Sequence, residues 1–136
     1  MPSSESGLRP APSDKRFIIE MGMGNDMYGR DYTKAAIRAV EDAIRHSSIP
    51  MFERLGISHD EMRVAVTVGV QEPGQVDTTR VTAHLPRGRA EVRAVMGGLN
   101  VENPETGSTC VIATAAVEAF LPDQAGRYRI RAPQAD

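Results

Sequence analysis

The stretch from Glu20 to Lys34 concentrates side chains that could do chemistry. Lys34 could act as a general base or as a Schiff-base nucleophile if burial or neighbouring cations favoured its neutral amine. Tyr28 could donate a hydrogen bond to a developing oxyanion, and Asp31 supplies a carboxylate between the two in sequence. These three residues are the predicted catalytic set. Ligand contacts are predicted at five further positions of the stretch: Gly22, Gly24, Asn25, Asp26 and Arg30.

The same stretch also has a structural interpretation. It follows the apolar run Phe17–Ile19, which predicts a strand, and it precedes an amphipathic helix. Its glycines permit left-handed backbone angles and a close approach to a ligand. However, a glycine-rich turn with Asp31 as the helix cap would produce the same pattern, and Lys34 would then lie on a solvated helix face. The sequence leaves both interpretations open.

The glycine spacing argues against two common nucleotide-binding loops. A dinucleotide-binding fingerprint needs glycine at its first, third and sixth places, and counting from Gly22 the sixth place is Met27. Gly24 and Gly29 have the gap of a phosphate-binding loop, but Arg30-Asp31 follows where Lys and then Ser or Thr are required. The acidic side chains of the stretch would also repel phosphate oxygens. Nucleoside triphosphate binding is therefore not predicted.

Residue types that bind metals are scattered along the chain. Cys110 is the single cysteine and has no nearby histidine in sequence, which favours a buried packing role over a catalytic thiol. Glu20, Asp26 and Asp31 could hold magnesium through waters, but they are a weak alternative. We therefore predict no metal and no cofactor. The three histidines are far apart in sequence: His46, His59 and His84.

Hydrophobic periodicity predicts an α+β fold in the order strand, helix, strand, short helix, strand, strand. Apolar residues at helical spacing between Asp31 and His46 predict a helix that packs on a sheet. Two helices and about four strands indicate one mixed sheet with both helices on one face. The other predicted elements are strands Arg16–Met21, Met62–Val70, Ala90–Met96 and Cys110–Leu121 and a helix at Asp77–Leu85, with a loop at Asn100–Ser108.

Length and composition predict one domain. The chain has 136 residues, of which 40% are hydrophobic, enough for a core of ordinary size. Residues 16–121 are the predicted domain. Residues 1–15 are a predicted disordered arm, and residues 122–136 a loose tail, because both contain few bulky apolar side chains.

Charge and hydropathy limit the partners and the location that the sequence predicts. The net charge of −2 gives no basic face for nucleic acid, and no apolar run approaches the ~20 residues of a membrane span. A single cysteine and the lack of an apolar signal core predict a cytoplasmic protein.

One face of the predicted sheet has no internal cover. Ala65, Val95 and the run Ala113–Val117 give that face a partly apolar character. Because apolar surface of this size usually marks a contact, a second subunit is expected to cover it. The sequence therefore predicts a homo-oligomer.

Several blocks resemble the signature of a small family of conserved hypothetical proteins named after a Listeria "Lin" locus. The resemblance extends over about Phe17 to Leu121. The family pattern is expected to have His before the last glycine of the loop, where this chain has Tyr28, so an acid–base role does not carry over to that position. The matching blocks are Met21–Asp26, Gly29–Asp31, Thr33–Ala36, Arg38–Val40, Leu85-Pro86, Gly97-Gly98 and Pro104–Gly107.

More distantly, the loop is similar to one in the ring-opening amidohydrolases, the group of cyanuric acid hydrolase and barbiturase. Their glycine-rich loop ends in an Asp-aromatic-Thr-basic run, like Asp31-Tyr-Thr-Lys34. The resemblance implies a YjgF-like or chorismate-mutase-like fold and a trimer with clefts between subunits. The Ser-Lys chemistry of that group lacks a counterpart here, because Met96-Gly97-Gly98 offers no serine.

Two functions follow as alternatives. The first is an enzyme that acts on a small polar carbonyl or amide compound by hydrolysis, isomerisation or cyclisation, in a cleft between subunits. The second is a non-catalytic oligomeric module that binds a metabolite. A buried Lys34 in contact with Tyr28 would favour the enzyme, and an exposed Lys34 beside a wide apolar groove would favour binding. Arg87, which could clamp a carboxylate, and the Gly97-Gly98 turn complete the predicted ligand-binding residues.

Overall fold

The computed structural model describes residues 14–45, 61–85 and 89–122. These residues form five strands and two helices, in an order that begins with a strand and a long helix. The predicted α+β class, with one mixed sheet and two helices on one face, is confirmed, although the described sheet has five strands where about four were predicted. The elements are β1 (Lys15–Asp26), α1 (Tyr32–Arg45), β2 (Arg63–Val70), a 3-10 turn (Pro73–Gln75), α2 (Thr78–Thr82), β3 (Arg89–Met96), β4 (Leu99–Glu102) and β5 (Thr109–Leu121).

The sheet is built around β5. Its main strand order is β1-β5-β2-β3. Strand β5 is antiparallel to β1 and to β2, while β2 and β3 are parallel. Strand β4 pairs with the first residues of β5, beyond the end of β2. Leu99 of β4 lies opposite Ile112, and Gly69 near the end of β2 lies opposite Thr114. The central strand therefore pairs with three others.

Helix α1 covers one face of this sheet, as its periodicity predicts. Asp31 caps the helix, because its Oδ1 accepts the backbone N–H of Lys34 at 2.9 Å. Tyr32 is also buried, and its hydroxyl accepts a hydrogen bond from Asn100 Nδ2 at 2.7 Å. The apolar stripe of α1 meets alternate residues of β2 and β5 in one core: Ala36, Ile37, Val40, Val64, Val66, Val68, Val111 and Ala113.

The short helix α2 packs on the same side as α1. Asp77 caps it, with the side chain accepting the N–H groups of Thr79 and Arg80. Val81 is fully buried in the core shared with α1. Thr33 of α1 ties the two helices together, since its hydroxyl oxygen accepts the N–H of Asp77 at 2.8 Å.

Strand β1 is longer than the sequence predicts. It continues through Asp26, in register with Val111 of β5, so Gly22 and Gly24 belong to a strand and not to a loop. A Cβ on Gly22 would lie 2.5 Å from the carbonyl oxygen of Ala39 in α1. These two glycines thus allow the helix backbone to approach the strand closely, and the predicted left-handed angles are wrong for them.

The predicted loop at Asn100–Ser108 is also partly wrong, because Leu99–Glu102 form β4. The turn back to β5 follows, closed by hydrogen bonds from Asn103 N to Ser108 O and from Gly107 N to Asn103 O, both at 2.8 Å. Pro104 and Gly107 dominate the sequence signal of this segment and conceal the short alternating strand before them.

The second face of the sheet is open in the described structure. On this face, which we call the open face, side chains of β1, β3 and β4 are 38–69% exposed. Among the described helices, none is long and apolar enough to cross a membrane. The exposed apolar side chains of the open face are Phe17, Ile19, Met21, Met23, Val95, Leu99 and Val101.

Candidate functional site

Asp26 organises the turn between β1 and α1. Its residue is only 6% exposed, and one oxygen, Oδ2, accepts the backbone N–H groups of Gly29 at 3.0 Å and of Asp31 at 2.9 Å. The other oxygen, Oδ1, lies 3.8 Å from Lys34 Nζ. Buried carboxylates require such partners, because an unpaired buried charge is strongly unfavourable. Within this chain Asp26 thus bonds to its own turn, and its ligand-binding role stays a prediction.

This arrangement occupies the amides that a ligand anion would need. The N–H groups of Gly29 and Asp31 both point at the Asp26 carboxylate, and the N–H of Lys34 points at Asp31. A phosphate at the start of α1 would have to displace carboxylates that are already in place. In the described structure these three amides are therefore bonded within the chain itself.

Lys34 and Tyr28 do not form a buried pair. The Lys34 side chain is 51% exposed, and Tyr28 is 79% exposed. The Lys34 Nζ lies 3.8 Å from Asp26 Oδ1. The buried Lys34 that would favour the enzyme is therefore not present in the described structure.

Arg30 and Asn25 are held by contacts within the turn region. Arg30 is the single non-glycine residue with a positive φ, 51°, among those the structure describes, and its Nη2 donates to Thr109 Oγ1 at 2.8 Å. The carbonyl oxygen of Asn25 accepts a hydrogen bond from Arg38 Nη1 at 2.6 Å. Arg30 thereby ties the turn to the start of β5.

A polar groove lies on the outer surface between α1 and α2. It has a volume of about 360 Å³. Within it, Glu41 Oε1 lies 3.3 Å from His84 Nδ1, and the Asp31 carboxylate caps α1. Lys34 and Asp31 both line it, so these two predicted catalytic residues do share a surface. The lining residues are Asp31, Lys34, Ile37, Arg38, Glu41, Arg80 and His84.

A second, more apolar groove lies in the open face. It has a volume of about 410 Å³, and its floor consists of small residues on neighbouring strands. Gly69 lies opposite Thr114, and Thr67 lies opposite Ala116. The Thr67 hydroxyl oxygen accepts a hydrogen bond from Arg93 Nε at 3.3 Å. The lining residues are Met21, Gly22, Thr67, Gly69, Val95, Met96, Gly97, Thr114, Ala115 and Ala116.

Gly97 and Gly98 carry the chain from β3 across the end of β2 to β4. Gly98 has a φ of 62°, and a Cβ there would lie 2.8 Å from the carbonyl oxygen of Gly69. Gln71 Nε2 donates to the carbonyls of both glycines, at 3.0 and 3.1 Å. Close backbone packing therefore explains both glycines, although Gly97 also lines the open-face groove.

The predicted site residues are thus divided between two sides of the sheet. Lys34 and Asp31 line the polar groove on the helix side, whereas Gly22 and Gly97 line the groove in the open face. The prediction missed Thr67 and Thr114. Their signal was present, because small residues alternate with buried ones along β2 and β5. The predicted clamp residue Arg87 lies outside the described residues, as do His46 and His59.

Within residues 14–45, 61–85 and 89–122, no group of three or more His, Cys, Asp or Glu side chains is placed to hold a metal ion. The weak magnesium alternative involved Glu20, Asp26 and Asp31. Asp26 and Asp31 direct their oxygens to backbone N–H groups instead.

The sequence signature and the fold can now be compared with known proteins. The profile of the family described as "Conserved hypothetical protein (Lin0512_fam)" matches residues 16–119. The chain belongs to this family. The predicted resemblance to a "Lin"-locus family is therefore confirmed, whereas the distant similarity to ring-opening amidohydrolases and to the YjgF fold stays a prediction. A comparison with curated proteins gives no significant match.

A solved structure is also similar to this member of the Lin0512 family. It is an FtsZ-like protein of unknown function from Nostoc punctiforme PCC 73102, with a TM-score of 0.73 and 41% sequence identity. The match covers 82% of this chain and 98% of that chain.

Proposed function

We propose that this protein is a non-catalytic, oligomeric module that binds a small neutral carbonyl compound in the groove of its open face. The observation that carries the proposal is the groove itself. Small-molecule sites are mostly apolar hollows of about 300–1,000 Å³ with a few polar groups. The open-face groove has this size and character, with methionine, valine, alanine and glycine around two threonine hydroxyls.

The polar groups in the groove suit a carbonyl acceptor. Arg93 donates to the Thr67 oxygen, which leaves the Thr67 O–H available as a donor. A hydroxyl that already accepts a charge-assisted hydrogen bond is a stronger donor, because hydrogen bonds in a chain polarise one another. A neutral amide or ketone could place its carbonyl at Thr67 and its apolar part between Met21 and Val95.

The competing prediction is an enzyme that uses Lys34, Tyr28 and Asp31. Its support is weaker, because Lys34 is half exposed and paired with Asp26, while Asp31 caps α1. The exposed Lys34 meets one half of the condition set for a binding module, but the apolar groove lies on the other face of the sheet and not beside Lys34. The Nostoc protein is described as FtsZ-like and of unknown function, so the proposal rests on the residues of this chain.

The proposal is tested by titrating the ¹⁵N-labelled protein with benzamide and with benzylamine, which keeps the ring but lacks the carbonyl. We expect benzamide to shift the amide resonances of Thr67, Gly69 and Gly97 in a saturable way, and benzylamine to leave them in place. Thr67→Val, which keeps the shape and removes the hydroxyl, should weaken benzamide binding by about tenfold, as expected for loss of one hydrogen bond worth ~1.4 kcal/mol.

Two variants complete the test. Thr79→Val makes the same chemical change on the exposed surface of α2 and should keep the affinity of the unchanged protein. Lys34→Met should also keep it under the binding proposal, whereas the enzyme prediction requires its loss. Saturable shifts confined to the polar groove, or no saturable shift with benzamide, would overturn the proposal.

A further inference from the structure

We infer that a second copy of this chain packs on the open face and closes the groove into a cleft between the two copies. The inference extends the proposed function, because it names what covers the same site. Four observations support it: the distribution of charge on the open face, its area, the blocked edge of β1 and the polar surface above α1.

The open face has an uncharged half and a charged half. Near the β4 end, the face carries Met23 of β1, Met27 from the turn directly after β1, and Leu99 and Val101 of β4. These four side chains are 48–60% exposed. Ile112 of β5 lies between them, opposite both Asn25 and Leu99. At the other end, ionic groups of both signs take over, namely Arg16, Glu91, Arg93 and Glu118.

Charges of both signs at one end suit a contact between identical surfaces. In a two-fold pair, each surface must be complementary to itself, so apolar side chains meet apolar ones and cations meet anions at the rim. Arg16 and Glu118 already pair within one chain at 3.3 Å. Cationic and anionic side chains of the two copies can pair in the same way across the contact.

The area of the face is suitable for a stable contact. Four strands spaced by ~4.8 Å, each presenting about nine residues of ~3.3 Å, give roughly 600 Å² in projection. The protruding methionine and leucine side chains raise the accessible area above this value. A standard stable interface buries about 800 Å² of accessible surface per partner, so a stable contact with a second copy would use the whole face, both halves included.

Near the C-terminal end of β1, helix α1 closes the strand edge to association. The N–H of Met23 donates to Asp42 Oδ2 at 3.0 Å, and the carbonyl of Asn25 accepts from Arg38 Nη1. These side chains satisfy backbone groups that a strand from another copy would need. The outer surface above α1 and α2 carries the polar groove. The open face is therefore better suited to a second copy than this part of the β1 edge or the polar surface above the helices.

The groove lies at the border between the two halves of the open face. Its floor runs from Thr114 and Gly69 to Thr67 and Ala116, next to the uncharged half. A copy whose contact is centred on the uncharged half, and whose charged side chains pair at the other end, spans the groove between the two halves. The groove then gains a second wall and becomes a cleft between subunits.

Sedimentation velocity on the full chain tests the inference between about 1 and 100 µM. The chain mass is 14.8 kDa. We expect the unchanged protein to sediment at a multiple of this mass, and Met23→Glu and Leu99→Glu to sediment as monomers with an unchanged far-UV circular dichroism spectrum. Gln75→Glu adds the same charge at an exposed position on the helix side and should keep the assembly.

Three outcomes would overturn the inference. One is a monomer across the whole concentration range, which would mean that another protein or a segment of this chain covers the face. Another is assembly that survives both Met23→Glu and Leu99→Glu. The third is loss of assembly in Gln75→Glu alone. Benzamide binding is scored separately, so an assembled protein that ignores benzamide refutes the proposed function and leaves this inference standing.

Discussion

The two faces of the sheet use small residues in opposite ways. On the helix-covered face, Gly22 and Gly24 of β1 lie directly beneath the backbone of α1, and a side chain there would collide with the helix. On the open face, Thr67 and Thr114 border a hollow that no described element fills. A glycine-rich signature therefore marks packing at one face, while the less conspicuous small residues mark the candidate binding surface at the other.

The polar residues of the β1–α1 turn and of the open-face groove also differ in how far contacts within the chain occupy them. In the β1–α1 turn, Asp26 and Asp31 direct their carboxylates to backbone N–H groups of the chain itself. In the open-face groove, Thr67 lines the hollow, and its hydroxyl oxygen accepts from Arg93. Ionisable side chains such as Asp26 and Asp31 can thus be fully engaged in hydrogen bonds within the fold, while a simple hydroxyl such as that of Thr67 can remain available to a ligand.

The strongest test of this contrast is Gly24→Ala. Its Cβ would lie 2.5 Å from Arg38 Cβ and even closer to the α1 backbone, and neither strand nor helix can yield easily. We expect the free energy of unfolding to fall by about 3 kcal/mol or more, which is at the upper end for overpacking. Urea denaturation measures it. Gly74→Ala is the matched control, because nothing lies within 4 Å of its Cβ; an equal loss there would refute the packing argument.

The second test removes the carboxylate that organises the turn. Asp26→Ala leaves the N–H groups of Gly29 and Asp31 without their acceptor, so we expect a loss of about 2–3 kcal/mol. Asp26→Asn keeps one oxygen acceptor and should lose less. If Asp26→Ala unfolds at the same urea concentration as the unchanged protein, Asp26 does not organise the turn and its ligand role must be reconsidered.

A smaller effect is expected at the helix cap. Asp31→Ala should lower the free energy of unfolding by about 1 kcal/mol, because the Lys34 N–H loses its acceptor. Asp31→Asn can still accept this hydrogen bond and serves as the control. Thermal unfolding followed by circular dichroism would show the difference. A fully stable Asp31→Ala would mean that water replaces the cap without cost.

The smallest effect is expected at Tyr28. The side chain is 79% exposed, so Tyr28→Phe should change stability by no more than about 0.5 kcal/mol. Its benzamide affinity should also remain unchanged. A loss of affinity in this variant would place the ligand at the β1–α1 turn and would reverse the contrast between the two faces.

Much of the fold could be predicted from the sequence because its periodic signals are strong. The alternation Val64, Val66, Val68, Val70 is a clear strand pattern, and all four residues are buried. Asp31 and Asp77 precede helical patterns, and both act as caps. The open face was expected from the partly apolar second side of the strands, and the described structure shows it.

The role of the glycine-rich stretch could not be predicted from residue types alone. Glycine permits unusual backbone angles, but it also permits two backbones to touch, and sequence does not distinguish these uses. Gly22 and Gly24 serve the second purpose, because they let strand β1 and helix α1 touch. The groove was missed for a related reason, since it forms where Thr67 and Thr114 meet from strands far apart in the chain.

The position of β5 has a consequence for how the protein is made. The strand at the centre of the sheet is also the last described strand in the chain, and it pairs with β1, β2 and β4. During synthesis, β1 and β2 cannot pair with β5, the strand between them, until its last residue, Leu121, has left the ribosome. Formation of the sheet therefore depends on late, long-range pairing. Nascent chains stalled at increasing lengths should resist protease only after all of β5 has emerged.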